Sequence, residues 1–156
     1  MSLCNVNIKL LNDQQCLDGA IEVERACFAK PLMRLEFKRQ VQKKSRTTKV
    51  ALIGRKVVGY IAFDVDKYVT IARIAVLPEY NRQGVGTLLV QSAVAKMNRR
   101  RPRLKIHVPE KNLAALKFFA SCGIRASFVE WGYFRDQDSF LMEKFFEEEM
   151  ADVSSD

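Results

Sequence analysis

An apolar run, Ile74-Ala75-Val76-Leu77, stops at Pro78, and a few residues later the chain passes through Arg82-Gln83-Gly84-Val85-Gly86-Thr87 into an amphipathic segment. A strand that feeds a short glycine loop and then a helix leaves few folds open to a chain. It calls for an α/β arrangement in which a helix N-terminus is held at the end of a sheet strand. Gly84 and Gly86 permit a tight turn and a close approach of backbone N–H groups to an anion, and the unpaired N–H groups and dipole of the helix favour negative charge there. Pyrophosphate suits such a cradle. In the helix, Gly86, Val90, Ala93, Val94 and Met97 fall at spacings of three and four and are expected to face inward, with Gln91, Lys96 and Asn98 outward. The same glycines also serve a plain strand-to-helix turn. Two familiar nucleotide loops are excluded by the residues present: Leu89 stands where a third dinucleotide-loop glycine belongs, and no Gly-Lys-Ser/Thr follows.

The segment resembles motif A of the GNAT superfamily of N-acetyltransferases, a Gln/Arg-x-x-Gly-x-Gly/Ala loop after a strand ending in Pro, with Asn81 at the first position. A second block, Val108-Pro109-Glu110-Lys111-Asn112-Leu113-Ala114-Ala115 through Cys122-Gly123-Ile124, resembles the Asn-x-x-Ala helix of the same family. The resemblance implies acetyl-coenzyme A as the cofactor. It assigns Ile74, Ala75 and Val76 to backbone pairing with the pantetheine arm, and Arg82, Gln83, Gly84, Val85, Gly86 and Thr87 to the pyrophosphate. Asn112 and Phe119 are placed beside the cofactor on the same ground. Read from the residues alone, Asn112 caps a helix N-terminus and Gly123 ends that helix in a left-handed conformation.

Periodicity predicts a strand over Val6 to Leu11, a helix over Asp13 to Phe28 with Leu17, Ala20, Ile21, Val23 and Cys27 inward, and a second helix over about Leu32 to Gln42. Strands are predicted at Lys49 to Ile53 and Val57 to Asp64, joined by Gly54-Arg55-Lys56, then at Tyr68 to Leu77, Arg103 to Val108, Ser127 to Tyr133 and Phe140 to Phe145. The order is βααβββαβαββ. It fits the GNAT fold, an α/β (α+β) architecture with a mixed, mostly antiparallel sheet flanked by helices. A single domain is expected over residues 1–146, and an acidic, flexible tail over 147–156.

The 156 residues, 48% apolar, are ordinary for one globular domain. No apolar run approaches the ~18 residues of a membrane span, and no basic-then-apolar leader opens the chain, so a cytoplasmic protein without membrane association is expected. Cys4, Cys16, Cys27 and Cys122 are scattered with neither a Cys-x-x-Cys pair nor a partnered histidine, which argues against a disulfide framework and against a metal site. The formal charge is +8, and with the five carboxylates of residues 147–156 set aside, 26 basic and 13 acidic residues remain. Arg99-Arg100-Arg101, Arg103 and Lys105 are the densest cluster. Placed after a helix C-terminus and without an interleaved aromatic row, it reads as a solvated face rather than a nucleic-acid site. The basic field attracts a polyanionic cofactor in any case.

Acetyl transfer to an amine needs a base, an oxyanion donor and a proton for the leaving thiolate. The one histidine, His107, lies on the strand between the two motifs and faces away from Leu104, Ile106 and Val108 if that strand alternates. A lone strand histidine is commonly structural. Its place five residues before Asn112 corresponds to the glutamate base of RimI-like enzymes and to a histidine in some N-terminal acetyltransferases, so the resemblance makes His107 the candidate general base. Where the family commonly has a tyrosine acid, seven residues past the Asn, this chain has Phe119, and Tyr133 is a candidate for the acid or for substrate contact. Trp131-Gly132-Tyr133-Phe134 resembles the aromatic hairpin that lines the peptide groove of such enzymes, and Phe28-Ala29-Lys30-Pro31 the opposite wall. Phe28, Tyr133 and Phe134 are therefore candidate acceptor contacts. Glu130 and Asp64 are extra carboxylates, read as exposed strand charges. The expectation is an acetyl-coenzyme A-dependent N-acetyltransferase, RimI-like, acting on a primary amine and best on a protein N-terminus. The alternative is a non-catalytic acyl-coenzyme A-binding regulator or an RNA- or ribosome-docking domain. Oligomeric state is left open.

Overall fold

Asp13 turns back onto the first helix, α1 (Gln14–Cys27), its Oδ1 accepting the Cys16 N–H at 2.7 Å. The covered face of α1 presents Cys16, Leu17, Ala20, Ile21 and Val23, and with them a fully buried Glu24. These residues lie against strand β3 (Lys56–Val65), so closely that a Cβ on Gly19 would stand 2.6 Å from Val57 Cγ2. Strand β3 is covered on both faces from Val57 to Phe63, which accounts for its unbroken apolar run.

The computed structural model describes residues 5–134 and 137–147, and these fall into two compact units: residues 5–65 with Ile71–Ala93, and Asp66–Thr70 with the described residues from Val94 on. Seven strands and four helices follow the expected order, a mixed α/β arrangement that is mostly antiparallel, with one added 3-10 turn at Pro78–Tyr80.

In the first unit, β1 (Val6–Leu10), β2 (Arg46–Ile53) and β3 pair antiparallel in that order, with β4 (Val69–Val76) next to β3. Strand β2 begins at Arg46, three residues before the expected Lys49. Its polar start hid it from the apolar pattern, but Arg46 sits directly opposite Asp64 and donates from Nε to Oδ1 at 2.7 Å, with only 5% of its side chain exposed. Burial pushes the Asp64 carboxyl up, and the Arg46 guanidinium more than offsets this, holding it below the usual carboxylate range. Helix α2 (Arg34–Val41) buries Phe37, whose ring meets Tyr60 edge-on at 5.3 Å.

In the second unit, the opening residues of β4 pair parallel with β5 (Arg103–Pro109), Val69 with Leu104 and Thr70 with Lys105. Strand β7 (Gln137–Phe145) runs antiparallel between β5 and β6 (Arg125–Phe134). Helix α4 (Leu113–Ser121) is capped as expected: Asn112 Oδ1 accepts the Ala115 N–H at 3.1 Å, and Gly123, at φ 80°, closes the other end through N–H bonds from Gly123 to Ala120 and from Ile124 to Phe119. Strand β7 starts three residues before the expected Phe140. Of the proposed acidic tail, Glu147 is described and residues 148–156 lie outside the described part. Among the described residues, no helix is long and apolar enough to cross a membrane.

Candidate functional site

The cradle belongs to the first unit. Strand β4 ends at Val76, and the 3-10 turn is built on bonds from Tyr80 N–H to the Leu77 carbonyl (2.9 Å) and from Asn81 N–H to Pro78 (3.1 Å). Two left-handed residues then redirect the chain, Arg82 at φ 66° and Gly84 at φ 80°. A non-glycine residue in that region is uncommon, so Arg82 marks a loop whose path is imposed by its surroundings. Helix α3 (Val85–Val94) starts at once, and its ladder opens with the Leu88 N–H on the Gly84 carbonyl at 3.0 Å. The N–H groups of Val85, Gly86 and Thr87 therefore have no partner within the helix.

Gly86 sits inside the first turn of α3, as the helical spacing predicts, and of the two glycines Gly84 carries the left-handed conformation. The inward face shifts, to Val85, Leu89, Val90 and Ala93, because the helix starts at Val85 and ends at Val94, leaving Met97 buried beyond it. Arg82, Gln83, Gly84 and Thr87 are exposed, and a Cβ built on Gly84 meets nothing within 4 Å. Open space over a glycine beside unpaired helix N–H groups fits the diphosphate of a coenzyme. Ile74 and Val76 are half-buried and Ala75 is buried, with the Val76 carbonyl taken by the Cys27 thiol at 3.3 Å.

A second constellation in this unit was not legible in the sequence. Glu24 accepts from Arg73 Nε at 2.9 Å through Oε1, from the Leu32 N–H at 2.8 Å through Oε2, from Arg73 Nη2 and from the Tyr60 hydroxyl. Burial pushes the Glu24 carboxyl up, yet these donors together hold it below its usual range, and the same burial with the carboxylate beside it pushes the Tyr60 phenol strongly up. Arg73 lies over the ring of Phe28, its Cζ 3.9 Å from the centroid. Glu24 thus pins the α1–α2 link at Phe28 and Leu32.

The second unit brings three candidate residues together. Strand β5 alternates as expected, with Leu104, Ile106 and Val108 buried and His107 on the other face. His107 Nε2 is 3.2 Å from Glu130 Oε1, and its ring lies flat on Tyr133, centroids 3.8 Å apart and planes 5° off parallel. The tautomer that satisfies Glu130 carries its proton on Nε2 and leaves the lone pair on Nδ1. What aims Tyr133 is a bulge: the β6–β7 register slips between Glu130 and Phe134, Gly132 takes φ 67°, and its N–H is held by Asp138 Oδ1 at 2.7 Å. A glycine inside a strand signals such a bulge. The Glu130 contact, formed across 23 residues of sequence, had no local signal. Asn112 is exposed at the α4 cap. Phe119 is a core residue, 3% exposed and edge-on to Phe118. Phe134 is the last residue of β6, and its side chain lies outside the described part.

A model of the acetyltransferase (GNAT) family matches residues 17–124, which take in the cradle, His107 and Asn112. Among solved structures, the ribosomal-protein-S18-alanine N-acetyltransferase from Escherichia coli is similar at a TM-score of 0.78 and 23% identity, over 91% of this chain and 94% of that one. Ard1 from Thermoplasma volcanium gives 0.79 at 16% identity, over 92% and 99% of the two chains. Arabidopsis thaliana Naa50, in complex with the bisubstrate analogue CoA-Ac-MVNAL, gives 0.75 at 19%, over 90% and 99%. At such identities the likeness is one of fold. No curated protein sequence matches the chain.

Proposed function

We propose, from the premise that this chain belongs to the acetyltransferase (GNAT) family, that it acetylates the α-amine of protein N-termini in the manner of a RimI-like enzyme. Family membership makes it an acetyl-coenzyme A-dependent N-acetyltransferase; the acceptor is our reading. One observation carries it: a histidine on β5 stacked on an aromatic side chain of the β6 bulge and bonded to a carboxylate, which joins a proton acceptor to an apolar wall suited to a peptide. Solved N-terminal acetyltransferases of the same fold support it.

Acetyl-coenzyme A supplies an acetyl group activated as a thioester. In this reading the Val85, Gly86 and Thr87 N–H groups and the Arg82 side chain hold its diphosphate, and the backbone at Ile74 to Val76 runs along the pantetheine. His107 takes a proton from the attacking amine at Nδ1, directly or through a water, while Glu130 keeps the Nε2 proton and steadies the imidazolium that results. Phe119 has no proton to give, which leaves the Tyr133 phenol or solvent to serve the thiolate. Phe28, under the Arg73 guanidinium, and Tyr133, on the His107 ring, are each candidate acceptor contacts.

Thiol release from acetyl-coenzyme A, with mass spectrometry of the products, tests the acceptor. Peptides with a free N-terminal Ala, Ser, Met or Gly are expected to turn over, and the same peptides with a blocked α-amine and an added lysine are not. Turnover on the blocked peptides or on polyamines, with none on free N-termini, overturns the reading. For the cradle, Gly84→Val is expected to weaken coenzyme A about tenfold by calorimetry, because a branched residue at φ 80° is strained by about 1–2 kcal/mol and intrudes on the open approach. Unaltered affinity counts against diphosphate binding there.

A further inference from the structure

We propose that the second unit carries a docking platform for single-stranded nucleic acid, formed by Lys67, Tyr68, Arg99, Arg100, Arg103 and Lys105, independent of acetyl transfer. The arginine run does not follow a helix end. Helix α3 stops at Val94, and Asn98 then folds the chain into a tight turn, its Oδ1 accepting the N–H groups of Arg100 at 2.9 Å and Arg101 at 2.8 Å. Asn98 and Arg101 bridge antiparallel, so Arg99 and Arg100 form the tip, and both are exposed. Helix-dipole compensation, which falls off within the last turn, does not account for them.

Arg101 serves structure instead. Its Nε donates to the Asp66 carbonyl at 2.8 Å and its Nη1 to the Lys96 carbonyl at 3.1 Å, which ties the arginine turn to the turn at residues 66–68. That tie brings an aromatic ring to the cluster from about thirty residues upstream in sequence. Tyr68 is 37% exposed, with Arg103 Cζ 5.0 Å and Lys105 Nζ 5.1 Å from its ring centroid. Two carboxylates lie nearby: Asp66, which accepts the Tyr68 N–H at 3.3 Å, and Glu143, which takes Arg103 Nε and the Ser127 hydroxyl. Among the described residues the cluster holds six basic side chains, counting Arg101, beside these two acids, with one partly open ring among them.

A compact acid needs only the charge. Cations over and beside a partly exposed tyrosine match a strand in which phosphates alternate with flat bases, the phosphates meeting Lys67, Arg99, Arg100 and Lys105 and a base meeting the part of the Tyr68 ring that Arg103 and Lys105 leave open. About four phosphate contacts predict a logarithmic salt slope near −3 for a single strand.

The test is anisotropy of a labelled uridine 12-mer with the whole protein at about 50 and 200 mM NaCl. Binding is expected at the lower salt and about 50-fold weaker at the higher. Arg99→Glu with Arg100→Glu abolishes it, Tyr68→Ala weakens it roughly tenfold, and Tyr68→Phe retains it. Lys38→Glu with Lys44→Glu, the same charge change on exposed residues in the first unit, leaves it within about threefold. Transfer to a short peptide acceptor and thermal stability stay at wild-type values in the platform variants. Absence of binding at low salt overturns the proposal, as does equal loss in the control variant, which indicates diffuse charge. Full affinity in Tyr68→Ala, or displacement of the oligomer by polyglutamate at equal charge, overturns it in favour of an acidic protein partner.

Discussion

His107→Ala is expected to lower turnover by about 10²–10⁴-fold, the usual contribution of a positioned general base, while calorimetric affinity for coenzyme A stays within about twofold. The separation of the two readouts comes from the chain itself. The cradle is set by Arg82, Gly84 and the start of α3 in one unit, whereas His107 is held in the other by Glu130 and the Tyr133 ring. With its side chain only 15% exposed and its plane fixed by stacking, the imidazole has one orientation to offer. Glu130→Gln keeps an acceptor for the Nε2 proton but removes the charge that steadies an imidazolium, so a smaller loss is expected, confined to kcat and without change in acceptor KM. A turnover number untouched by His107→Ala removes this residue from the chemistry and leaves solvent as the proton acceptor.

Glu24→Ala is expected to cost about 3–5 kcal/mol of unfolding free energy in urea, the range found when one partner of a buried ion pair is taken away. The deletion strands the Arg73 guanidinium, the Tyr60 hydroxyl and the Leu32 N–H together. The effect depends on pH in a defined direction. Because the folded carboxyl is held below its unfolded value, its stabilisation is complete above the unfolded carboxylate range and disappears as pH falls through the lowered folded value. Wild-type and variant stabilities should therefore converge in acid. A difference under about 1 kcal/mol at neutral pH is incompatible with the contacts described.

The parts of this protein legible in its sequence are those whose physics is local. Gly84 needs a left-handed backbone, Asn112 and Gly123 close a helix, and β5 alternates, all within a few residues of chain. Glu24 defeats the same reasoning: a charge in an amphipathic helix reads as outward, and its partners Tyr60 and Arg73 lie 36 and 49 residues away. Strand β2 starts at Arg46, ahead of its apolar run, because Arg46 and Asp64 satisfy one another across a register that no one-dimensional pattern contains. Tyr68 and the arginine turn meet for the same kind of reason, through the parallel pairing of Val69 with Leu104 and the Arg101 bond to the Asp66 carbonyl.

The bulge at Gly132 separates two properties that enzymes often couple. His107 sits on β5, a strand flanked by a neighbour on each side, while Tyr133 takes its aim from a slipped register on β6, with Asp138 anchoring the slip. Lengthening or shortening β6 by one residue at Trp131–Tyr133 re-aims the phenol and loosens its stacking on the imidazole, while the backbone of β5 that carries His107 is untouched. On the proposed function, acceptor range can therefore drift, in evolution or by design, through indels at a strand edge, while the proposed base keeps its place on β5.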